Sequence, residues 1–142
     1  MNRKAEKIAA MIAGFDGGGL DPHYAGYFDC FNRGLYYEAH DVLEQLWLPE
    51  KNGANGLFYK GLIQLAGAFV HLQKNRPGPA AALFKLARTN LANYPPHHQR
   101  LDVRAVLELI QNWLAKLEQE RGNPLRAQTA PQIKLFQEAK PS

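Results

Sequence analysis

From Leu57 to Lys74 the chain is apolar in a way that admits few folds. Wound as a helix at about 100° per residue, it points Phe58, Leu62, Ile63, Leu65, Phe69, Val70 and Leu72 in nearly every direction. A helix that is apolar all round must be covered all round, so this segment predicts a central element with others packed about it. One narrow arc is different. Lys60, Gln64 and His71 fall within roughly 40° of one another at that winding, and Gly61, Gly67 and Ala68 border them. Small residues beside a polar stripe let a second helix approach closely there.

The remaining segments supply the covering helices. Arg3 to Phe15 carries Ile8, Met11, Ile12 and Phe15 at helical spacing, and the run Asp16 to Gly19 ends it as a flexible connector. Asp21-Pro22 is an N-cap followed by proline at the first helical position. Tyr24, Tyr27, Phe28 and Phe31 then form a buried stripe, and Gly34 is a left-handed residue just past the helix end. A third helix opens at Tyr36 and stops near Leu48-Pro49. Beyond the central helix, Ala80 to Leu91 should turn Leu83, Leu86, Ala87 and Leu91 inward, and Tyr94-Pro95-Pro96 breaks it. Asp102 is a good N-cap for Val103, Val106, Ile110, Trp113 and Leu117, and Gly122-Asn123-Pro124 ends that helix. The less regular tail from residue 124 contains Pro131 to Phe136, a segment suited to packing on the bundle in extended form. No alternating-strand pattern and no repeat is visible. The expected fold is all-α: one compact domain over residues 1–142, with five to six helices around the element near 57–74.

Hydrophobic and charged fractions of 46% and 21% are those of an ordinary globular chain, and no apolar run reaches the roughly 18 residues a membrane span needs. The charged start, Met1 to Lys7, does not resemble a signal peptide, so a cytoplasmic location is expected. Cys30 lies close to Phe28 and Phe31 and reads as a small buried hydrophobe rather than a reactive thiol. Charge is unevenly spread. Tyr36 to Glu50 holds four acids and no Lys or Arg, whereas Lys51 to Arg104 holds eight basic residues and one acid. The basic residues are scattered singly, without stacking motifs or zinc-finger spacing, so a solvated basic surface is the reading and nucleic acid is not the expected partner.

The third helix carries the candidate site. Its apolar arc is Tyr36, Ala39, Leu43, Leu46 and Trp47, with His40 inside it and Glu44 at its edge, while Glu38, Asp41 and Gln45 point to water. An imidazole and a carboxylate on a face meant for burial need compensation for their desolvation. Four residues apart, they stand about 5–6 Å from each other at Cβ, a separation at which both reach one metal ion. His71 on the central helix is the third ligand that an enzymatic site requires. His40, Glu44 and His71 would suit zinc or ferrous iron and hydrolase-like chemistry. Gln64 and Glu38 would be auxiliary, Tyr37 would complete the pocket and Trp47 would wall it. Two other readings stay open. The same groups with a tyrosine hydroxyl can form a closed structural network in a non-enzymatic binding module, or His40 and Glu44 can act as a metal-free acid–base pair. The latter lacks a nucleophile, since no serine precedes Ser142. His97-His98 is an adjacent pair in a proline-bounded loop, whose rings need not share a direction.

Two long motifs, Asn32-Arg33-Gly34-x-Tyr36-Tyr37-Glu38-Ala39-His40-Asp41-x-Leu43-Glu44-x-Leu46-Trp47 and Phe58-x-x-Gly61-Leu62-Ile63-Gln64-Leu65-Ala66-x-Ala68-x-x-His71, resemble the DUF309 family of bacterial and archaeal proteins. The resemblance implies a compact helical bundle, a function not established for the family, and a metal-binding role for the His-x-x-x-Glu-x-x-Trp signature, here His40, Glu44 and Trp47. Asp41 stands where the family more often has glutamate, and Pro79 departs from its usual helix start. A pocket of this kind implies a small-molecule ligand.

Overall fold

A computed structural model describes residues 3–13, 19–120 and 122–137. They form α1 (Arg3–Ile12), α2 (Pro22–Asn32), α3 (Tyr36–Glu50), α4 (Gly56–Gln73), α5 (Pro77–Leu91) and α6 (Val103–Gln119), with a two-stranded hairpin, β1 (His97–His98) and β2 (Leu101–Asp102), between α5 and α6. Phe15 and the run from Asp16 to Gly18, expected to close the first helix, lie outside the described residues. Among the described residues no helix is long and apolar enough to cross a membrane.

The central helix is where its apolarity requires it to be. Phe58, Leu62, Leu65, Ala66, Ala68 and Phe69 of α4 are fully buried, with α3 and α5 as its most extensive neighbours. Phe69 is the hub of the core. Its ring meets Phe31, Tyr36, Phe84 and Trp113 at centroid distances of 5.6, 5.0, 5.2 and 5.0 Å, which joins α2, α3, α5 and α6 through one side chain. Such aromatic pairs contribute about 0.5–1.5 kcal/mol each beyond their buried area. Gly61 permits the close crossing of α5: a Cβ there would sit 2.8 Å from Leu91 Cγ.

The helix ends follow their local chemistry. Asp21 Oδ1 accepts from the His23 N–H ahead of Pro22, Asp102 Oδ1 accepts from the Ala105 N–H, and Gly34 adopts φ +77° just beyond α2. Pro49 does not stop α3, which runs on to Glu50. Proline's cost comes from the bond it cannot donate and the clash with the preceding turn, and here it falls in the final turn. On α5 the inward stripe is Ala80, Phe84, Ala87 and Leu91, while Leu86 is half exposed. The expectation for Leu86 fails because Phe84 sets the helix rotation by filling the space against Phe69.

The hairpin was not visible in the sequence. Gln99 and Arg100 occupy its turn at φ +46° and +59°, the two positive values of a tight two-residue hairpin usually built from Asn-Gly. Long-range bonds hold them there. The Tyr24 hydroxyl donates to the Gln99 carbonyl at 2.9 Å, and the Phe136 N–H donates to the Arg100 carbonyl at 2.7 Å. The hairpin also secures the start of α4. His98 Nε2 donates to Asn55 Oδ1 at 2.7 Å, and the Tyr94 hydroxyl accepts from the Phe58 N–H at 2.9 Å while donating to the Ala54 carbonyl. The tail packs in extended form as expected. Ile133 is buried, and Asn32 binds both its N–H and its carbonyl at 2.7 Å.

Candidate functional site

The ends of α3 and α4 show how the site is assembled. Lys60, near the start of α4, lies 4.4 Å above the Trp47 ring near the end of α3. Tyr37 and His40, near the start of α3, share a cleft with Val70 and His71, near the end of α4. The two helices therefore run antiparallel with their polar stripes facing. The cleft holds about 280 Å³. Ile63, Gly67, Val70 and Leu83 supply its apolar wall, and Lys60, Gln64, His40 and His71 bring polar atoms to it. Leu83 comes from α5, so three helices enclose the space.

Each polar group has a distinct setting. The Lys60 ammonium rests on indole, an arrangement favourable by about 0.5–1 kcal/mol at exposed sites. Gln64 Oε1 accepts from Asn90 Nδ2 at 2.7 Å, which fixes the amide and leaves the Gln64 NH₂ group as the donor for the cleft. His71 Nδ1 is buried and has no hydrogen-bond partner among the described residues. Burial, with the positive charges of Arg76 and Lys74, pulls the His71 imidazole below its ordinary 6.5. His40 is held by its neighbour: since a carboxylate only accepts, its Nδ1–H donates to Asp41 Oδ1 at 3.2 Å. Tyr37, 57% exposed, lies face-on to the His40 ring at 6.4 Å and forms the mouth.

The expected residues divide accordingly. Tyr37, His40, Gln64 and His71 line one cleft, and Lys60, read in the sequence only as part of the stripe, lines it with them. Trp47 borders the cleft through Lys60. Glu38 and Glu44 are not among the lining residues. Glu44 Oε2 is 4.0 Å from His40 Nε2, too far for a hydrogen bond, and its other oxygen accepts from Lys4 Nζ at 3.4 Å. Asp41, expected to face water, is only 15% exposed and pairs with Lys4 at 3.2 Å. The reason is α1, which lies across this edge of α3; no pattern within the Tyr36–Trp47 stretch could reveal it. His40 itself is 32% exposed, at the margin of the buried face rather than inside it. Nor does Tyr36 close a network, since its buried hydroxyl has no partner among the described residues.

Among the described residues no group of three His, Cys, Asp or Glu side chains gathers closely enough to hold a metal ion. As arranged, then, His40, Glu44 and His71 do not meet the ligand count of a zinc or iron site. The histidine pair of the hairpin also separates. His98 packs edge-on to Phe58 at 4.7 Å, while His97 meets Phe136 at 5.1 Å. Burial raises the Cys30 thiol to about 11, so it stays protonated as a buried hydrophobe.

Residues 24–83 match the model of the family described as Domain of unknown function (DUF309). The match begins within α2, covers α3 and α4 and reaches Leu83, so it contains every residue lining the cleft. An uncharacterized protein from Aquifex aeolicus (strain VF5) is 30% identical over 94 residues, which are 66% of this chain and 28% of that protein. The chain thus spans little more than a quarter of the relative's length. No solved structure matches.

Proposed function

We propose that this DUF309-type core binds, in the cleft between α3, α4 and α5, a small molecule with an apolar body and an anionic end. One observation carries the reading: every charged or amide group on the cleft wall offers a donor, and among the described residues no carboxylate lines it. The Lys60 ammonium would take the anionic end, the Gln64 NH₂ and the imidazoles of His40 and His71 would orient it, and Ile63, Val70 and Leu83 would cover the body. Apolar walls with a few convergent polar groups are the usual composition of ligand pockets. The volume suits a molecule of modest size, and octanoate is an appropriate probe. Isothermal titration should show saturable binding of octanoate and weaker binding of octanol, and Lys60→Gln should weaken octanoate alone. Equal affinity for acid and alcohol, or full octanoate binding by Lys60→Gln, would refute the assignment.

A second reading, turnover of the bound molecule, is favoured by His71. An imidazole kept neutral near pH 7 is competent to take a proton from water, and its buried Nδ1 is unsatisfied. In that case His71→Gln should abolish turnover of an octanoyl ester while lowering octanoate affinity less than Lys60→Gln does. Turnover that survives the substitution would eliminate this role.

A further inference from the structure

A second pocket lies on another face, where the tail crosses the start of α3. It holds about 520 Å³ and includes Arg33, Gly34, Tyr36, Arg126 and Gln132 in its wall, with no Asp or Glu among the described residues. Its construction is specific. Gln132 Nε2 donates to the Asn32 carbonyl at 2.7 Å, and Gln73 Nε2 donates to the Gly34 carbonyl at 3.0 Å. The first bond, with those between Asn32 and Ile133, holds the tail over the α2–α3 corner, and the second ties the corner to the end of α4, which together make a recess of what would otherwise be open surface. At the corner itself Gly34 takes φ +77°, and a Cβ built there meets nothing within 4 Å. Space therefore remains directly beside the backbone.

The recess is left wanting an anion. No side chain caps α3, and the first N–H of the helix with an acceptor is that of Ala39, bonded to the Leu35 carbonyl. Among the described residues the N–H groups of Tyr36, Tyr37 and Glu38 have no protein acceptor, and such groups carry the positive end of the helix dipole. Tyr36 adds an independent sign. The residue is 2% exposed, and its hydroxyl has no partner among the described residues. Buried hydroxyls are ordinarily satisfied. Arg33 has only a long, exposed contact to Asp29 at 3.5 Å, and Arg126 has no carboxylate partner among the described residues.

We propose that this recess is a second anion site, separate from the α3–α5 cleft, which takes the phosphate group of a small molecule. Arg33 and Arg126 supply the two guanidinium forks that phosphate geometry favours, and the open first turn of α3 supplies backbone donors. The full chain, labelled with ¹⁵N, should be titrated with inorganic phosphate at constant ionic strength against a chloride control. The expected result is a saturable shift of the Tyr36, Tyr37 and Glu38 amides, weakened about fivefold in Arg33→Gln or Arg126→Gln and unchanged in Lys60→Gln. Shifts no larger than the chloride control, or full affinity in both arginine variants, would overturn the site. So would loss of the shifts in Lys60→Gln, which would assign phosphate to the cleft.

Discussion

The crossing of α4 and α5 can be tested with two glycines of one helix. In Gly61→Ala the new methyl would lie 2.8 Å from Leu91 Cγ, 3.0 Å from Leu91 Cδ2 and 3.4 Å from the Ala87 carbonyl. Leu91 is fully buried, and the contact at its Cγ is too short to keep, so Leu91 or α5 must shift. Overpacking of this kind costs about 1–3 kcal/mol. In Gly67→Ala the methyl meets only Leu83 Cδ1, at 3.2 Å, the end of a half-buried side chain beside the cleft, and that contact can relax. Both substitutions gain about 0.8–1 kcal/mol of helix propensity. That gain cancels in their difference, leaving Gly61→Ala less stable than Gly67→Ala by about 1–3 kcal/mol. With an unfolding entropy of about 2.1 cal/mol/K per residue, the 142 residues make each kcal/mol worth about 3 °C. Far-ultraviolet circular dichroism should therefore find Gly61→Ala melting about 3–10 °C below Gly67→Ala. A Gly61→Ala variant that melts at or above Gly67→Ala would refute the argument that this glycine sets the helix separation.

Other parts of the structure yield separate expectations. Tyr94→Phe removes the hydroxyl bonded to both the Phe58 N–H and the Ala54 carbonyl and should cost about 1–3 kcal/mol; an unchanged urea midpoint would show that this hydroxyl does not secure α4. Asn32→Ala deletes both bonds to Ile133 and should speed limited proteolysis of the tail, whereas an unaltered cleavage rate would mean the tail is held by packing alone. Burial lowers both His71 and His98 from 6.5. Just below that pH the unfolded chain binds more protons than the folded one, so stability should be full above about pH 7 and fall as pH drops through 6.5. If His71→Gln and His98→Gln leave that slope as steep as before, the loss has another source. Because two imidazoles lack a third donor, zinc should bind weakly, and Lys4→Ala, by freeing Glu44, should tighten it. Tight stoichiometric zinc binding in the unaltered chain would show that Glu44 swings in without help.

The architecture and much of the site were legible along the chain, for identifiable reasons. Helical periodicity is a local property, so the all-α class, the central helix and the α2 stripe could be read from spacing. Caps are also local: Asp21-Pro22, Asp102 and Gly34 perform the roles their chemistry suggests. The stripe Lys60–Gln64–His71 and the residues Tyr37 and His40 meet because antiparallel neighbours bring matching faces together. What spacing could not supply was the identity of the third body at each contact. Asp41 read as a water-facing carboxylate and Glu44 as a partner for His40 until α1 brings Lys4 to both. Gln64 read as an open amide until α5 brings Asn90.

What the sequence by itself determined is a buried helix with one polar arc, the helices needed to cover it, and which side chains that arc would offer a ligand. Only the tertiary structure decided that the polar arc opens on a cleft that His40 and His71 line and Glu44 does not. Phe84 displaced Leu86 from the core for a similar reason, because the place beside Phe69 belongs to whichever ring fits it. The hairpin is the clearest case. Gln99-Arg100 has no intrinsic preference for a left-handed pair, and it adopts one because the Tyr24 hydroxyl and the Phe136 N–H, from distant segments, bond to its carbonyls. A local pattern can specify an element and its inward face, but electrostatic partners and strained turns depend on groups that only folding brings within hydrogen-bonding distance.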